Sequence, residues 1–394
     1  MKNSKKIFIF IICYIAYTCI YIERLNLSMA SPDMINEGIM DKAQFGMLGS
    51  AFSIIYAFGR LLNGNLSDKT PPYIMISAGL ILSSVGNLTI SLFPPFIGIM
   101  VMWSINAFAQ SMLWSSVLCI VSSMYSEEEA KRKTSYLVTS VATGNIFGII
   151  VNTAVITSYG LRFAFIIPGA LTLIAASFVI LFTRSISSPQ KKTSAKHISM
   201  GGLLKDKTVR TILIAAVLHG TMKDNISLWM TVYFVDMFGI NLEQSTYFVL
   251  FIPIIAFIGR MLYPTCYSLC RLNEHRVSIF SFISCALFSL PLCFGTNSPF
   301  LAAICLSIIY TSVSLINTSI LGIYPIRFAS SGNVASVSGI MDFATYFGAG
   351  IGSVVYGFVV KSFGYAPMFI SWAVVSVISI FALKKLSLKK CSLR

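Results

Sequence analysis

Charge is what this 394-residue sequence has least of: Asp, Glu, Lys and Arg together make 11% of it, against about a quarter of an ordinary soluble domain. Acids are scarcer still, 14 against 29 Lys and Arg, with three histidines. That shortage excludes a soluble globular surface of any size. The nine cysteines include no Cys-x-x-Cys pair, which argues against a zinc ribbon or a dithiol redox centre; Cys266 and Cys270 share a helix face and read as small apolar packing residues. His197 and His275 fall in loops and His219 stands alone in an apolar run, so no metal cluster is expected. The sequence has neither a Gly-x-x-x-x-Gly-Lys-Ser/Thr loop nor a Ser/His/Asp set, which argues against ATP use and against hydrolysis. The expectation is a protein that is no enzyme and carries no cofactor.

What the chain does have is apolar length. Hydrophobic residues make 56% of it, mean hydropathy is +0.80, and runs of about 20 apolar residues, each enough to cross about 30 Å of hydrocarbon, recur from end to end. Periodicity and punctuation predict an all-α membrane protein of twelve spans: 7–32, 43–66, 73–93, 96–124, 134–158, 162–183, 209–237, 245–269, 277–295, 298–325, 333–360 and 365–384. The opening Met-Lys-Asn-Ser-Lys-Lys and the apolar run after it lack a small-residue cleavage site and read as a retained first span. Most connections are short. The exception, the polar and basic stretch 184–208, divides the chain into a six-helix bundle over 1–183, a basic linker, and a second six-helix bundle over 209–394.

A formal charge of +15 would suggest nucleic acid in a soluble protein, but the distribution argues otherwise. Alternating the loops between two sides puts twenty-two basic residues on the side of the N-terminus and three, Lys42, Arg162 and Lys361, on the other. The expectation is a multi-pass protein of a cytoplasmic (inner) membrane, in which the positive-inside rule puts both termini and the linker on the cytoplasmic side. The linker and the Lys384–Arg394 tail are expected to touch anionic lipid. Glu127-Glu-Glu-Ala-Lys131-Arg-Lys reads as a solvated loop, and the protein as a monomer.

Four basic residues remain inside spans. Arg24 and Lys223 lie 199 apart in spans one and seven, while Gly59-Arg60 and Gly259-Arg260 end spans two and eight at a separation of 200. Agreement of both offsets implies two six-span repeats in register, pseudo-symmetric bundles of a kind common in transporters. A guanidinium at membrane depth costs at least ~2.5 kcal/mol and needs compensation. If the repeats face each other across a cavity, Arg24 and Lys223 converge on an anion; otherwise each is neutralised in its own half. Glu23 and Asp224, one residue away, are poor partners because adjacent helical residues point about 100° apart. Asp342, in the eleventh span, is the stronger candidate, and reads equally as a proton-coupling group, a gating partner of Lys223, or a static pair.

Gly64-Asn-Leu-Ser67-Asp68-Lys69 has the form of a cytoplasmic hinge in which Asp68 gates; its second copy, Pro264 to Arg271, keeps the basic end without the Asp. Gln110 and Trp114 share a helix face, and either line a polar cavity or form a packed interface. Tyr14, Tyr17 and Tyr21 form a stripe on the Arg24 helix that either donates hydroxyls to an anion or packs.

Taken together, these residues resemble a family, the organophosphate:phosphate antiporters of the major facilitator superfamily. Arg24 with Tyr17 and Tyr21 is similar to that family's first-span phosphate site. Ile54-Ile-Tyr56-Ala-Phe-Gly-Arg60, Leu66-Ser-Asp68-Lys69-Thr-Pro-Pro, Gly79-Leu-Ile-Leu and Gln110-x-x-x-Trp114 resemble its second-span, loop and fourth-span signatures. Lys223 with Trp229, Tyr310 and Tyr346 fall where it places its second cation and cavity aromatics. The chain departs from the family in having Lys223 for the usual arginine, which loses the bidentate fork, in having Val141 where glycerol-3-phosphate members carry a histidine, and in having Asp342. Glu23-Arg24-Leu-Asn-Leu-Ser is similar also to the anion:cation symporters. The resemblance implies the major facilitator fold and a secondary transporter binding a small organic anion through Arg24, Lys223, Tyr17, Tyr21, Gln110, Trp114, Tyr310 and Tyr346. It further implies a phosphorylated metabolite exchanged for phosphate by alternating access, while the residues themselves point to Asp68, Arg60, Arg260 and Asp342 in gating or coupling. Proton- or sodium-coupled symport of a sugar acid is the alternative, and a membrane anion sensor is the alternative of another class.

Overall fold

The computed structural model describes residues 3–67, 70–184, 205–328 and 334–389, and among them every regular element is helical. The helices are α1 (Asn3–Asn36), α2 (Lys42–Ser67), α3 (Pro72–Ile90), α4 (Phe96–Ser111), α5 (Leu113–Met124), α6 (Glu127–Tyr159), α7 (Phe163–Thr183), α8 (Lys207–Phe238), α9 (Leu242–Met261), α10 (Tyr263–Leu269), α11 (Glu274–Cys293), α12 (Pro299–Asn317), α13 (Val334–Phe363) and α14 (Ala366–Lys389). Among the described residues, eleven stretches are long and apolar enough to cross a membrane. The remaining expected span falls on α8, a 32-residue helix interrupted by Lys223, Asp224 and Asp236.

Local chemistry sets the boundaries. Pro72 and Pro299 sit in the first turns of α3 and α12, where a missing N–H costs nothing. Asp206 accepts from the Thr208 and Val209 amides to start α8, and Asn273 from those of His275 and Arg276 to start α11. Gly239, at φ +63°, ends α8 in the left-handed conformation that glycine takes without strain.

Two expectations need correction. Glu127–Lys133 is not a loop but the first two turns of α6: the Ser126 hydroxyl accepts from the Glu129 amide at 3.4 Å and donates to the Glu129 carboxylate at 3.3 Å, an N-cap that extends the helix beyond its apolar part. Gly64 to Ser67 is likewise the last turn of α2; Asp68 and Lys69 lie outside the described residues. Three spans are also interrupted. The fourth breaks at Met112, the eighth at Leu262, and the tenth passes through a π-helical stretch, Thr318–Ile323, into a 3₁₀ turn, Tyr324–Phe328.

The chain forms two compact units, one of residues 1–44, 51–192 and 240–246, the other of 45–50, 193–239 and 247–394. In the first, α1 packs on α6 through Gly144 and Gly148, where an added Cβ would strike Tyr21 and come within 3.2 Å of the Ile22 Cα. In the second, α8 packs on α13 through Gly220 and Gly348, where a Cβ would strike the backbone carbonyls of Thr345 and Val217. The 200-residue offset reappears in packing: Gly59 lies against Ser111, and Gly259 against Thr311.

Candidate substrate site

In the first unit, the half-buried Arg24 lies among aromatic rings. Its guanidinium carbon is 4.6 Å from the Phe52 ring centroid, 5.1 Å from that of Tyr56 and 5.9 Å from that of Tyr21. Phe52 and Tyr56 stack with centroids 5.9 Å apart, one turn apart on α2. Ring faces stabilise a cation at low dielectric without cancelling its charge. Tyr17 extends the cluster, 5.5 Å from Tyr21 and 5.2 Å from Trp114, and Tyr14 hydrogen-bonds Thr139 and Thr143 of α6 at 3.1 and 2.8 Å.

Glu23 belongs to a different environment. It is fully buried, and its carboxylate accepts from Ser83 Oγ at 2.7 Å, Asn87 Nδ2 at 2.6 Å and Thr172 Oγ1 at 3.2 Å. Asn26 Nδ2 donates to Asn87 Oδ1 at 2.7 Å, and Asn106 joins through Ser83. Gln110, 2% exposed, donates to Asn106 Oδ1 at 3.0 Å. The two readings left open for Gln110 and Trp114 therefore separate: Gln110 braces a polar core between α3 and α4, while the half-buried Trp114 packs on Tyr17. Sequence reasoning missed this network. Its signal was the scatter of Asn26, Ser83, Asn87, Asn106 and Thr172 through apolar spans, each a polar group that must find a partner there.

In the second unit, Lys223 Nζ lies 4.4 Å from the Tyr346 ring centroid and 3.6 Å from an Asp224 oxygen. The expected preference for Asp342 over Asp224 as the acid beside Lys223 is thus corrected. At 3.6 Å with both side chains about a quarter exposed, a flexible four-carbon stem bends back to its neighbour, which a comparison of Cβ directions alone does not allow for. Ser227, one turn beyond Lys223, donates to the Tyr310 hydroxyl at 3.1 Å. Lys223, Tyr346 and Tyr310 are thereby gathered around one stripe of α8. Trp229 is instead core, fully buried and 6.5 Å from the Tyr365 ring. His219, one turn before Lys223, is fully buried with Nε2 3.0 Å from the Val313 carbonyl.

The gating candidates are dispersed. Arg60 lies 6.0 Å from the Tyr56 ring, Arg260 donates to Ser314 Oγ at 3.3 Å, and Asp342 is half-buried on α13 one turn before Tyr346. Among the described residues no group of three or more His, Cys, Asp or Glu is placed to hold a metal ion.

A family model described as Major Facilitator Superfamily matches residues 13–344. The chain belongs to that superfamily. Its curated relatives include a probable hexose phosphate transport protein of Chlamydia trachomatis, 28% identical over 182 residues, which cover 46% of this chain and 40% of that one. The membrane sensor protein UhpC of Escherichia coli is 24% identical over 168 residues, 42% of this chain and 38% of that one. A glycerol-3-phosphate transporter of Haemophilus influenzae is 31% identical over 105 residues, 26% and 22% of the two chains. The chain spans less than half the length of each of these relatives. They are the kind of protein that the motifs around Arg24 resemble. Among solved structures, the nucleoside transporter NupG superposes at a TM-score of 0.75 with 17% identity, covering 100% of both chains. A bacterial homologue of the lysosomal transporter Spinster gives 0.73 with 15% identity over 98% and 96%. At such identities the likeness concerns the fold, which is the major facilitator fold.

Proposed function

We propose that this protein is a secondary transporter that exchanges a phosphorylated metabolite for inorganic phosphate by alternating access. Arg24 and Lys223 are its anion-binding cations, Tyr17, Tyr21, Trp114, Tyr310 and Tyr346 are further cargo-binding residues, and Gln110 supports the first unit's share of the site by tying α4 to Ser83 of α3. Asp68, Arg60, Arg260 and Asp342 take part in gating or coupling, and both termini are cytoplasmic. The observation that carries the reading is the seat of Arg24: three rings hold a permanent cation within a span, while the acid next to it is committed to Ser83, Asn87 and Thr172. An anion compensates such cations when bound, so the carrier reorients loaded and resists reorienting empty, which is exchange. Phosphate esters as cargo follow the relatives that carry hexose phosphate and glycerol-3-phosphate in their names.

Counterflow in vesicles containing only this protein tests the reading. Vesicles preloaded with phosphate should take up labelled hexose phosphate or glycerol-3-phosphate, and Arg24→Ala should not. Counterflow of sugar acids with none of phosphate esters would replace it by the second reading, symport of a carboxylate with protons. That reading has its own support in Glu23: the single hydroxyl hydrogen of Ser83 faces both Glu23 and Asn106, and a proton on the Glu23 carboxyl would complete both contacts. A protein that binds phosphate esters but accumulates nothing would be a sensor, the role named for the relative UhpC.

A further inference from the structure

The face of α1 that carries Arg24 does not stop at the tyrosines. Lys6, Phe10, Tyr14, Tyr17, Tyr21 and Arg24 follow one another at spacings of four, four, three, four and three, the repeat of a single helix face. At 1.5 Å per residue, Lys6 lies ~27 Å along the axis from Arg24. There the face meets α6 and the junction before it. Lys6 Nζ is 5.5 Å from the Tyr125 ring centroid and Lys133 Nζ 5.6 Å from the same centroid, with Phe10 5.2 Å from Lys133. Both lysines are half-buried. Two ammonium groups drawn to one ring repel each other, and ring attraction of about 1 kcal/mol each is small beside the hydration they give up.

The Tyr125 hydroxyl adds a second, independent sign. Its oxygen is buried and has no hydrogen-bond partner among the described residues, a cost of roughly 1–3 kcal/mol unless something occupies the place. Burial first, and the Glu129 carboxylate after it, hold this phenol above its usual range, so it is a neutral donor. Two cations and an orphan O–H donor have a common complement, an oxyanion with several acceptor oxygens.

We propose that Lys6, Lys133 and the Tyr125 hydroxyl form a docking site for a phosphate group at the N-terminal end of the α1 face that leads to Arg24. The site rests on the phosphate-ester reading above and extends it: cargo is captured at the membrane surface before it reaches the in-span cation. A phosphodiester headgroup of an anionic lipid offers the same chemistry, and the experiment separates the two sources.

Inorganic phosphate is titrated calorimetrically into the purified full chain in neutral detergent, as wild type and as Arg24→Ala/Lys223→Ala. The double variant is expected to keep one weak phosphate site. Adding Lys6→Gln/Lys133→Gln is expected to weaken that site about tenfold, and adding Tyr125→Phe to weaken it about threefold, with the thermal midpoint unchanged. Residual binding that ignores these changes would overturn the docking site, as would a midpoint that falls while affinity stays, because the lysines would then only pin helices. If Arg24→Ala/Lys223→Ala binds no phosphate while wild type does, the docking site fails and the transport reading stands; if it binds as tightly as wild type, the in-span site fails and the docking site stands. Repeating the titration in nanodiscs with and without phosphatidylglycerol identifies the source. Competition in wild type that disappears in Lys6→Gln/Lys133→Gln supports the site with a lipid headgroup as occupant, and lack of competition supports it with soluble phosphate.

Discussion

Glu23 and Arg24 are consecutive on α1 and belong to different worlds: the carboxylate is sealed against Ser83 and Asn87 at 2.7 and 2.6 Å, while the guanidinium lies 4.6 Å from the Phe52 ring. The 100° turn between neighbouring helical residues lets one helix present an acid to the interior of its own unit and a base to an aromatic cluster.

Arg24→Ala should abolish counterflow while leaving the protein inserted and folded. Arg24→Lys tests the fork: an ammonium keeps the charge and loses bidentate geometry, so cargo affinity should drop about tenfold or more. Phe52→Leu removes a ring face worth about 1 kcal/mol and should weaken binding several-fold. Wild-type transport in Arg24→Ala would remove the site.

Glu23→Ala should behave as a stability variant. Ser83 can turn to Asn106 and Thr172 to the Pro168 carbonyl, but one Asn87 N–H loses its acceptor beside a new void, at about 1–3 kcal/mol for the orphan, and the thermal midpoint in detergent should fall by several degrees. Glu23→Gln keeps the shape and one acceptor and should fold. Retained exchange with lost response to a pH gradient in Glu23→Gln would support coupled symport.

Gly220→Val should be among the most damaging substitutions in the second unit. Any Cβ there meets the Thr345 carbonyl, and the neighbour is backbone, which cannot rotate away. Gly339→Ala is the contrasting case on α13: nothing lies within 4 Å of the added methyl, and the helix gains up to about 1 kcal/mol of propensity. Thermal unfolding of the two variants should shift in opposite directions.

Arg327→Ala should destabilise the second unit. Its guanidinium pairs with Glu274, whose side chain is 2% exposed against 31% for Arg327, so removing the partly exposed partner takes a close cation from a buried acid and leaves His275, at 4.0 Å, as a weaker one. Glu274→Gln in the same chain should recover part of the loss, and a double-mutant cycle in thermal stability measures the coupling.

Span positions were legible because apolar length and proline punctuation act locally: Pro72 and Pro299 start helices where they stand in the sequence. That Arg24 needs compensation was legible, because a charge within an apolar run cannot stand alone; the Phe52 and Tyr56 rings that face it were not. The Glu23 network was not, because its members come from α1, α3, α4 and α7, and only packing makes Asn26, Ser83, Asn87, Asn106 and Thr172 neighbours. The α6 start was misplaced because apolar periodicity cannot see a helix that continues into water; the Ser126 and Glu129 spacing could. Lys223 with Asp224 was misjudged because a long side chain reaches where its Cβ does not point.

The glycine seam between α8 and α13 has a mechanical consequence. With backbone against backbone at Gly220 and Gly348, no compressible side chain cushions the contact, so a tilt of α13 that carries Tyr346 is passed to the helix bearing Lys223 almost undamped. The pair is expected to move as one stiff lever, carrying the Lys223 ammonium and the Tyr346 ring, 4.4 Å apart, in step.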